Sequence, residues 1–278
     1  MSLSAVHTRL EPSARLADVI VALSGADPSA FGPALLAWFS EAIRFDHSVV
    51  FAYRGDARPP CLFETFNRQD SHVFVALYQD GPYRLDPFCQ TALARRSGFW
   101  RMRELAPDRF YASEYFRTYY EKTGLAEEVG FFVPMESGVT VVLSLMRLKR
   151  SRAFSAVEIR ELRRAAPLVM SLVRLAWGDT EVPEQRVGMP DLSGQHASRE
   201  EDLGVRAAEP PVMEKSLLTT RESQVVDLVL QGHSSDSIAD RLGMTPGTVK
   251  VHRRNIYRKL HISSQAELFA WFVAQNAK

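Results

Sequence analysis

Residues 178–214 constrain this chain more than any other stretch. They read GDTEVPEQRVGMPDLSGQHASREEDLGVRAAEPPVME, without hydrophobic periodicity and with Pro210-Pro211 near the end. Nine Asp or Glu stand there against three Arg, a local net charge of −6. Such a segment buries too little apolar surface to offset the entropy of ordering it, so it is expected to be a flexible acidic linker. A chain interrupted in this way must build two cores, one from 1–177 and one from 215–278. Two domains is also the ordinary expectation for 278 residues. With 46% hydrophobic and 24% charged residues, both cores can be filled. The formal charge of +1 hides an uneven distribution. Residues 215–278 carry nine Lys or Arg against five Asp or Glu, and the linker more than cancels that excess.

The tail block reads as four capped helices. Thr219-x-x-Glu222 is a capping box: the Thr hydroxyl accepts from the backbone three residues on, and the Glu reaches back. Val225, Val226, Leu228 and Val229 follow, and Gly232 ends that helix. Ser234 or Ser235 starts a second helix, with Ile238, Ala239 and Leu242 on one face, and Gly243 ends it. Thr245 caps the third, with Pro246 at the first helical position, where no N–H is needed. A fourth starts at Ser263 or Ser264, with Ser264-x-x-Glu267 a further capping box, and carries Leu268, Phe269, Trp271 and Phe272. Two short helices joined at Gly243-Met244 form a helix-turn-helix.

The third helix, TPGTVKVHRRNIYRKL from Thr245 to Leu260, has five cations and no acid. At about 100° per residue, Ile256 and Leu260 fall within about 20° of Val249, one to either side, and the three form a core stripe. Lys250, Val251, Arg254 and Arg258 lie roughly 100–200° away and form one outward face. Cations there suit phosphates and guanine edges, and Val251 suits a thymine methyl. A basic face is often only solvated. Its place as second helix of a capped pair favours DNA.

These residues resemble the LuxR-type helix-turn-helix family. The likeness rests on Leu218-Thr219, Arg221-Glu222, Val225-Val226, Gly232, Ile238-Ala239, Leu242, Thr248-Val249-Lys250, His252, Asn255-Ile256 and Lys259-Leu260. It implies that residues 246–259 enter the major groove, that Lys250, Val251 and Arg254 contact bases or phosphates, and that the fourth helix dimerises. Thr245, Thr248, Arg253 and Arg258 complete the expected DNA-binding set. Thr220 stands where Pro is common in that family, and His261 where Gly is common.

In 1–177 the patterns predict helices near 14–24, 29–44, 71–79, 87–96, 112–123 and 155–177. Strands are predicted near 47–54, 60–66, 99–105, 128–135 and 138–148. Ser155-x-x-Glu158 caps the last helix, whose stripe is Ile159, Leu162, Ala166, Val169 and Val173. The order of elements suggests an α/β sandwich, one antiparallel sheet flanked by helices as in GAF and PAS sensory folds. Phe74, Tyr78, Asp86-Pro87, Trp100, Gly124-Leu125, Gly130 and Pro134 resemble the autoinducer-binding domain of LuxR-type quorum sensors. That likeness implies that Asp86 accepts a hydrogen bond from a ligand amide and that aromatic residues line the pocket. Phe74, Tyr78, Tyr83, Asp86 and Trp100 are the candidate ligand residues. Phe74 stands where Trp is usual and has no N–H to donate. Residues 113–134 look more like the GAF-like domains found ahead of many LuxR-type tails. Asp86-Pro87 also has a plain structural reading as a helix start, Asp at N-cap and Pro at N1. Tyr115, Tyr119 and Tyr120 read as packing residues, and Cys89 as a small apolar residue of its helix.

No stretch approaches the ~18 apolar residues that span a bilayer. Arg9, Glu11, Arg15 and Asp18 stand where a secretory signal would be apolar. The two cysteines form no C-x-x-C pair, which favours a reduced cytoplasmic setting. The seven histidines lack metal-ligand spacing, and there is no phosphate-binding G-x-x-x-x-G-K-[ST] loop or G-x-S-x-G elbow. The expectation is a cytoplasmic transcriptional regulator, not an enzyme, without metal or cofactor. Its expected partners are double-stranded DNA, a small-molecule effector, a second copy of the chain and RNA polymerase. Two alternatives stay open: an acyl-homoserine-lactone sensor, and a ligand-independent regulator whose first domain dimerises or binds protein.

Overall fold

A computed structural model describes residues 13–25, 27–182 and 217–276. Helices α1 (Ala14–Ser24) and α2 (Phe31–Phe39) precede strands β1 (His47–Tyr53) and β2 (Cys61–Glu64). Helix α3 (Arg68–Ser71) runs through a π turn at His72–Ala76 into α4 (Leu77–Gln79). Then come α5 (Pro87–Leu93), β3 (Gly98–Arg101), α6 (Met102–Leu105) and α7 (Glu114–Thr118). Strands β4 (Leu125–Pro134) and β5 (Thr140–Leu148) and helix α8 (Ala156–Trp177) follow. The tail folds as α9 (Thr220–Gln231), α10 (Ser235–Leu242), α11 (Pro246–Lys259) and α12 (Gln265–Asn276).

The strands form one antiparallel sheet in the order β2-β1-β5-β4-β3. Alternation along each strand sends neighbours to opposite faces. Val50 and Ala52 of β1, Phe131 and Val133 of β4, and Val141 and Leu143 of β5 face α1, α2 and α8. Val49, Phe51 and Tyr53, with Phe132, Val142 and Met146, face the short helices α3–α7. On α8 the expected stripe, Ile159 to Val173, is buried. The expected sandwich of antiparallel sheet and flanking helices is therefore the fold observed.

Local differences have local causes. The helix expected from 29 ends at Phe39, where the Ser40 hydroxyl donates to Leu36 O at 2.8 Å. The helix expected from 71 starts earlier, because Asn67 Oδ1 accepts from the amides of Gln69 and Asp70, both at 2.9 Å. The strand expected over 99–105 stops at Arg101, because the Glu104 carboxylate accepts from Arg101 N at 3.0 Å and starts a helical turn. The helix expected over 112–123 is broken at Tyr119, whose φ of −120° and ψ of −67° is not helical. Strand β4 begins at Leu125 rather than 128, because its acids are paired: Glu127 accepts from Arg101 Nε at 2.8 Å and from Phe154 N at 2.8 Å.

Beyond residue 177 the chain stays on the first unit as far as Val182, which is buried and whose carbonyl accepts from Arg54 at 3.2 Å. The rest of the expected linker lies outside the described residues. The tail is not isolated from the sheet unit. Arg109 N donates to Gly232 O at 2.9 Å, and Ser234 N donates to Asp108 Oδ1 at 3.0 Å. One apolar cluster runs from the β1–β5–β4 face into α9 and α12.

Candidate DNA-binding face and ligand cavity

Each tail helix is capped as its residues dictate. Thr219 Oγ1 accepts from Glu222 N, and Glu222 Oε2 accepts from Thr219 N at 2.8 Å. Gly232 and Gly243 end α9 and α10 in left-handed conformation, with φ of 97° and 62°. Thr245 Oγ1 accepts from Thr248 N at 3.1 Å and starts α11. His261 takes the same left-handed region, φ 53°, at the position where the family commonly has Gly.

On α11, Val249, Ile256 and Leu260 are buried, while Lys250, Val251, Arg254 and Arg258 are exposed. Thr245 and Thr248 are exposed at its N-terminal end, and Arg253 is half-buried. The outward face therefore presents three cations around Val251, which is 44% exposed. Lys259 is turned inward: its ammonium donates to Glu222 Oε2 at 2.7 Å. Burial of Glu222 opposes ionisation, but hydrogen bonds from Lys259 and Thr219 hold its carboxyl below the usual range.

The second site lies under the sheet. A cavity with about 390 Å3 of empty space sits between the β1–β5–β4 face and α4, α5 and α7. It is narrow; the centres of water-sized molecules fit in only about 30 Å3 of it. Strands contribute Phe51, Tyr53, Glu128 and Ser144, and the helical side contributes Phe74, Tyr78, Asp86 and Phe88. Tyr115, Tyr119 and Tyr120 close it at the far side. Gly130 makes room: a Cβ there would lie 2.8 Å from the Phe88 ring.

Asp86 serves both as cap and as cavity wall. Its Oδ1 accepts from Phe88 N at 2.9 Å, which starts α5, and its Oδ2 accepts from the Tyr78 hydroxyl at 2.6 Å. Tyr78 has one proton and gives it to Asp86, so the 2.8 Å contact between Tyr53 and Tyr78 has Tyr53 as donor. Burial pushes the Asp86 carboxyl up to about 6, against the two hydrogen bonds it accepts. Glu128 is pushed further, to about 8, by burial and then by the charge of Asp86, with the Ser144 hydroxyl opposing. The pair thus holds about one proton near neutral pH, and the two hydrogen bonds that Asp86 accepts favour the charge on Asp86.

Of the candidate ligand residues, Phe74, Tyr78 and Asp86 line this cavity; Tyr83 and Trp100 do not. The Tyr83 hydroxyl donates to Asp56 O at 3.3 Å, and Trp100 lies under the Arg96 guanidinium at 4.3 Å. Sequence reasoning passed over Glu128, although an acid in the apolar run LAEEVGFFVP was a signal. It took the three tyrosines 115, 119 and 120 as packing alone. Cys89 is buried as expected, and burial pushes its thiol far up.

A capped basic helix, second in a helix-turn-helix pair and joined to a sheet domain with a buried cavity, is the construction of a DNA-binding transcriptional regulator. Residues 216–272 match the family described as "Bacterial regulatory proteins, luxR family". A protein of Aeromonas salmonicida, named as an HTH-type transcriptional regulator in the exeN 3′ region, is 36% identical over 191 residues. That match covers 68% of this chain and 93% of the relative. The HTH-type transcriptional regulator MalT of Vibrio campbellii is 35% identical over 98 residues, 32% of this chain and 11% of that protein. Among solved structures, the LBD domain of VqsR from Pseudomonas aeruginosa is similar with a TM-score of 0.52 and 25% identity. It covers 60% of this chain and 97% of that domain. The chain belongs to the LuxR family of helix-turn-helix transcriptional regulators. Among the described residues, no helix is long and apolar enough to cross a membrane.

Proposed function

We propose that this regulator binds symmetric DNA half-sites as a cytoplasmic homodimer and that a small molecule in the cavity beside Asp86 sets its affinity for DNA. It acts on RNA polymerase through DNA occupancy, by binding rather than by turnover. Lys250, Val251 and Arg254 read or position the major groove, with Thr245, Thr248, Arg253 and Arg258 on the phosphates.

One observation carries the ligand control. Residues 108–120 are at once a cavity wall and the docking point of the tail. Tyr115, Tyr119 and Tyr120 line the cavity, and Asp108 and Arg109, a few residues earlier, hold Ser234 and Gly232. A ligand that shifts this segment shifts the α9–α10 corner with it, which gives the differential contact that a ligand-driven change needs.

Native mass spectrometry of the full chain tests the reading. A stoichiometric small molecule, lost on acid denaturation, is the expected result, and its removal changes affinity for target DNA. A full chain that binds its DNA equally well with and without every retained molecule would support the ligand-independent alternative.

A further inference from the structure

The cavity has an unusual balance of chemistry. Two carboxyls, Asp86 and Glu128, face into it, and among the described residues that line it there is no Lys, Arg or His. A buried carboxylate is ordinarily paired with a cation or neutralised. Here no cation has been supplied, and the remaining wall is aromatic: five of the protein's eight tyrosines lie on it, with Phe51, Phe74 and Phe88. Tyr115, Tyr119 and Tyr120 are all at least nine-tenths buried, and the carboxyls act on all three. Tyr53 and Tyr78 spend their protons on one another and on Asp86, whereas the structure records no hydrogen bond from the other three hydroxyls among the described residues.

Resting on the ligand-controlled reading above, we infer that the effector is a compact organic cation, an amine held by Asp86 and Glu128 inside a cage of aromatic faces. Ring faces are electron-rich and attract a desolvated ammonium, and aromatic cages recognise alkylammonium groups in this way. An anionic ligand would meet the Asp86 charge with nothing to offset it. A neutral ligand would leave Glu128 holding a proton that a cation would replace. The cavity as it stands, about 30 Å3, is far below the roughly 300–1,000 Å3 typical of ligand pockets, so the amine carries a small apolar body and the surrounding rings part to admit it. The proton balance is simple: entry of the ammonium converts Glu128 from carboxylic acid to carboxylate, and the released proton goes to buffer.

Titration calorimetry of the full-length protein at pH 7 tests this with four probes: phenethylamine, its neutral counterpart 2-phenylethanol, the acid 3-phenylpropionate, and N-octanoyl homoserine lactone. Phenethylamine is expected to bind at least tenfold more tightly than the other three. Its heat should depend on the ionisation enthalpy of the buffer, corresponding to release of up to one proton. Glu128→Gln, which keeps side-chain volume, should remove both the proton release and the preference for the amine over the alcohol. Asp86→Asn, which keeps the helix cap, should weaken the amine at least tenfold. Binding of the alcohol or the lactone but not the amine overturns the cationic assignment and leaves ligand control standing. If no probe binds, the amine assignment falls, and the mass spectrum of the full chain alone decides whether the cavity holds an effector.

Discussion

The Lys259 ammonium donates to Glu222 at 2.7 Å, so the last cation of α11 ties that helix to the capping box of α9. Its charge is used inside the domain. Lys250, by contrast, is exposed on the outward face. Lys259→Ala is expected to destabilise the tail by about 1.5–3 kcal/mol, the range for a hydrogen bond to a charged group. The slope of log K against log salt should hardly change. Lys250→Ala should leave stability unchanged and reduce that slope by about 1. DNA titrations at several salt concentrations measure both slopes. Equal losses would mean that Lys259 leaves Glu222 for a phosphate on binding.

Arg254 and Arg258 lie on the same exposed face as Val251, near the middle and the end of the helix. Arg254→Ala is expected to cost about 1–3 kcal/mol on the preferred sequence and to relax selectivity at one base position. Arg258 donates to Asn255 at 3.3 Å and sits a turn later; in the proposed binding mode it contacts a phosphate, which carries no sequence information. Arg258→Ala should weaken every sequence alike. Selection from a random DNA pool compares the two variants. Uniform loss for Arg254→Ala would make it a phosphate contact.

Gly232 and Gly243 form a matched pair. Both end helices with positive φ, yet a Cβ at Gly232 would lie 2.9 Å from Phe110 Cα, while at Gly243 nothing lies within 4 Å. Either Ala variant pays the left-handed strain, about 1 kcal/mol. Only Gly232→Ala also collides with backbone of the sheet unit. Hydrogen exchange at the Arg109 amide, which donates to Gly232 O, should rise at least tenfold in Gly232→Ala and stay unchanged in Gly243→Ala. Unchanged protection in both would mean that the two units are not held at this point.

How much of this was legible in the sequence follows from the range of each interaction. The tail was readable because its signals are local: caps such as Thr219-x-x-Glu222 and Thr245-Pro246 act within three residues, and the α11 stripe repeats within one helix. The five strands were readable from alternation. Residues 112–123 were not, because the break at Tyr119 comes from tyrosines that turn toward a cavity built by three distant strands. Glu128 was passed over because its partner carboxyl, Asp86, is 42 positions away and on the helical layer. Lys259 looked like one more cation, because nothing along α11 shows that Glu222 lies beneath it. Asp86 was read correctly as a helix cap; its second role at the cavity depends on Tyr78 and the opposing sheet.

His233 sits where the two units meet, beside Ser237 at 2.9 Å and preceding the Ser234 amide that bonds Asp108. Burial, and then the charge of Arg241, lower its pKa to about 4, with Asp108 opposing. A depressed histidine stabilises the fold above its unfolded value of about 6.5, and that contribution is lost as pH falls through the folded value. Melting temperatures of wild type and His233→Gln should therefore converge as pH drops from 7 to 4. Parallel curves would mean that His233 titrates freely.

Glu128 titrates with the opposite sign. Its folded-state pKa is raised from 4.5 to about 8 by burial and by Asp86. The folded protein then holds a proton that the unfolded chain releases near pH 4.5. Its contribution is fully present below that pH and declines as pH rises, until it is gone above about 8. Glu128→Gln keeps the neutral shape and has no proton to lose. The variant should match wild type near pH 5 and exceed it in stability at pH 8.5 by more than about 1.4 kcal/mol, the equivalent of one pKa unit. Chemical denaturation of both proteins at the two pH values measures the difference, with the amine-free protein used throughout. A gap that does not widen with pH would show that Glu128 is ionised already in the folded state, beside the Ser144 hydroxyl that favours its charge.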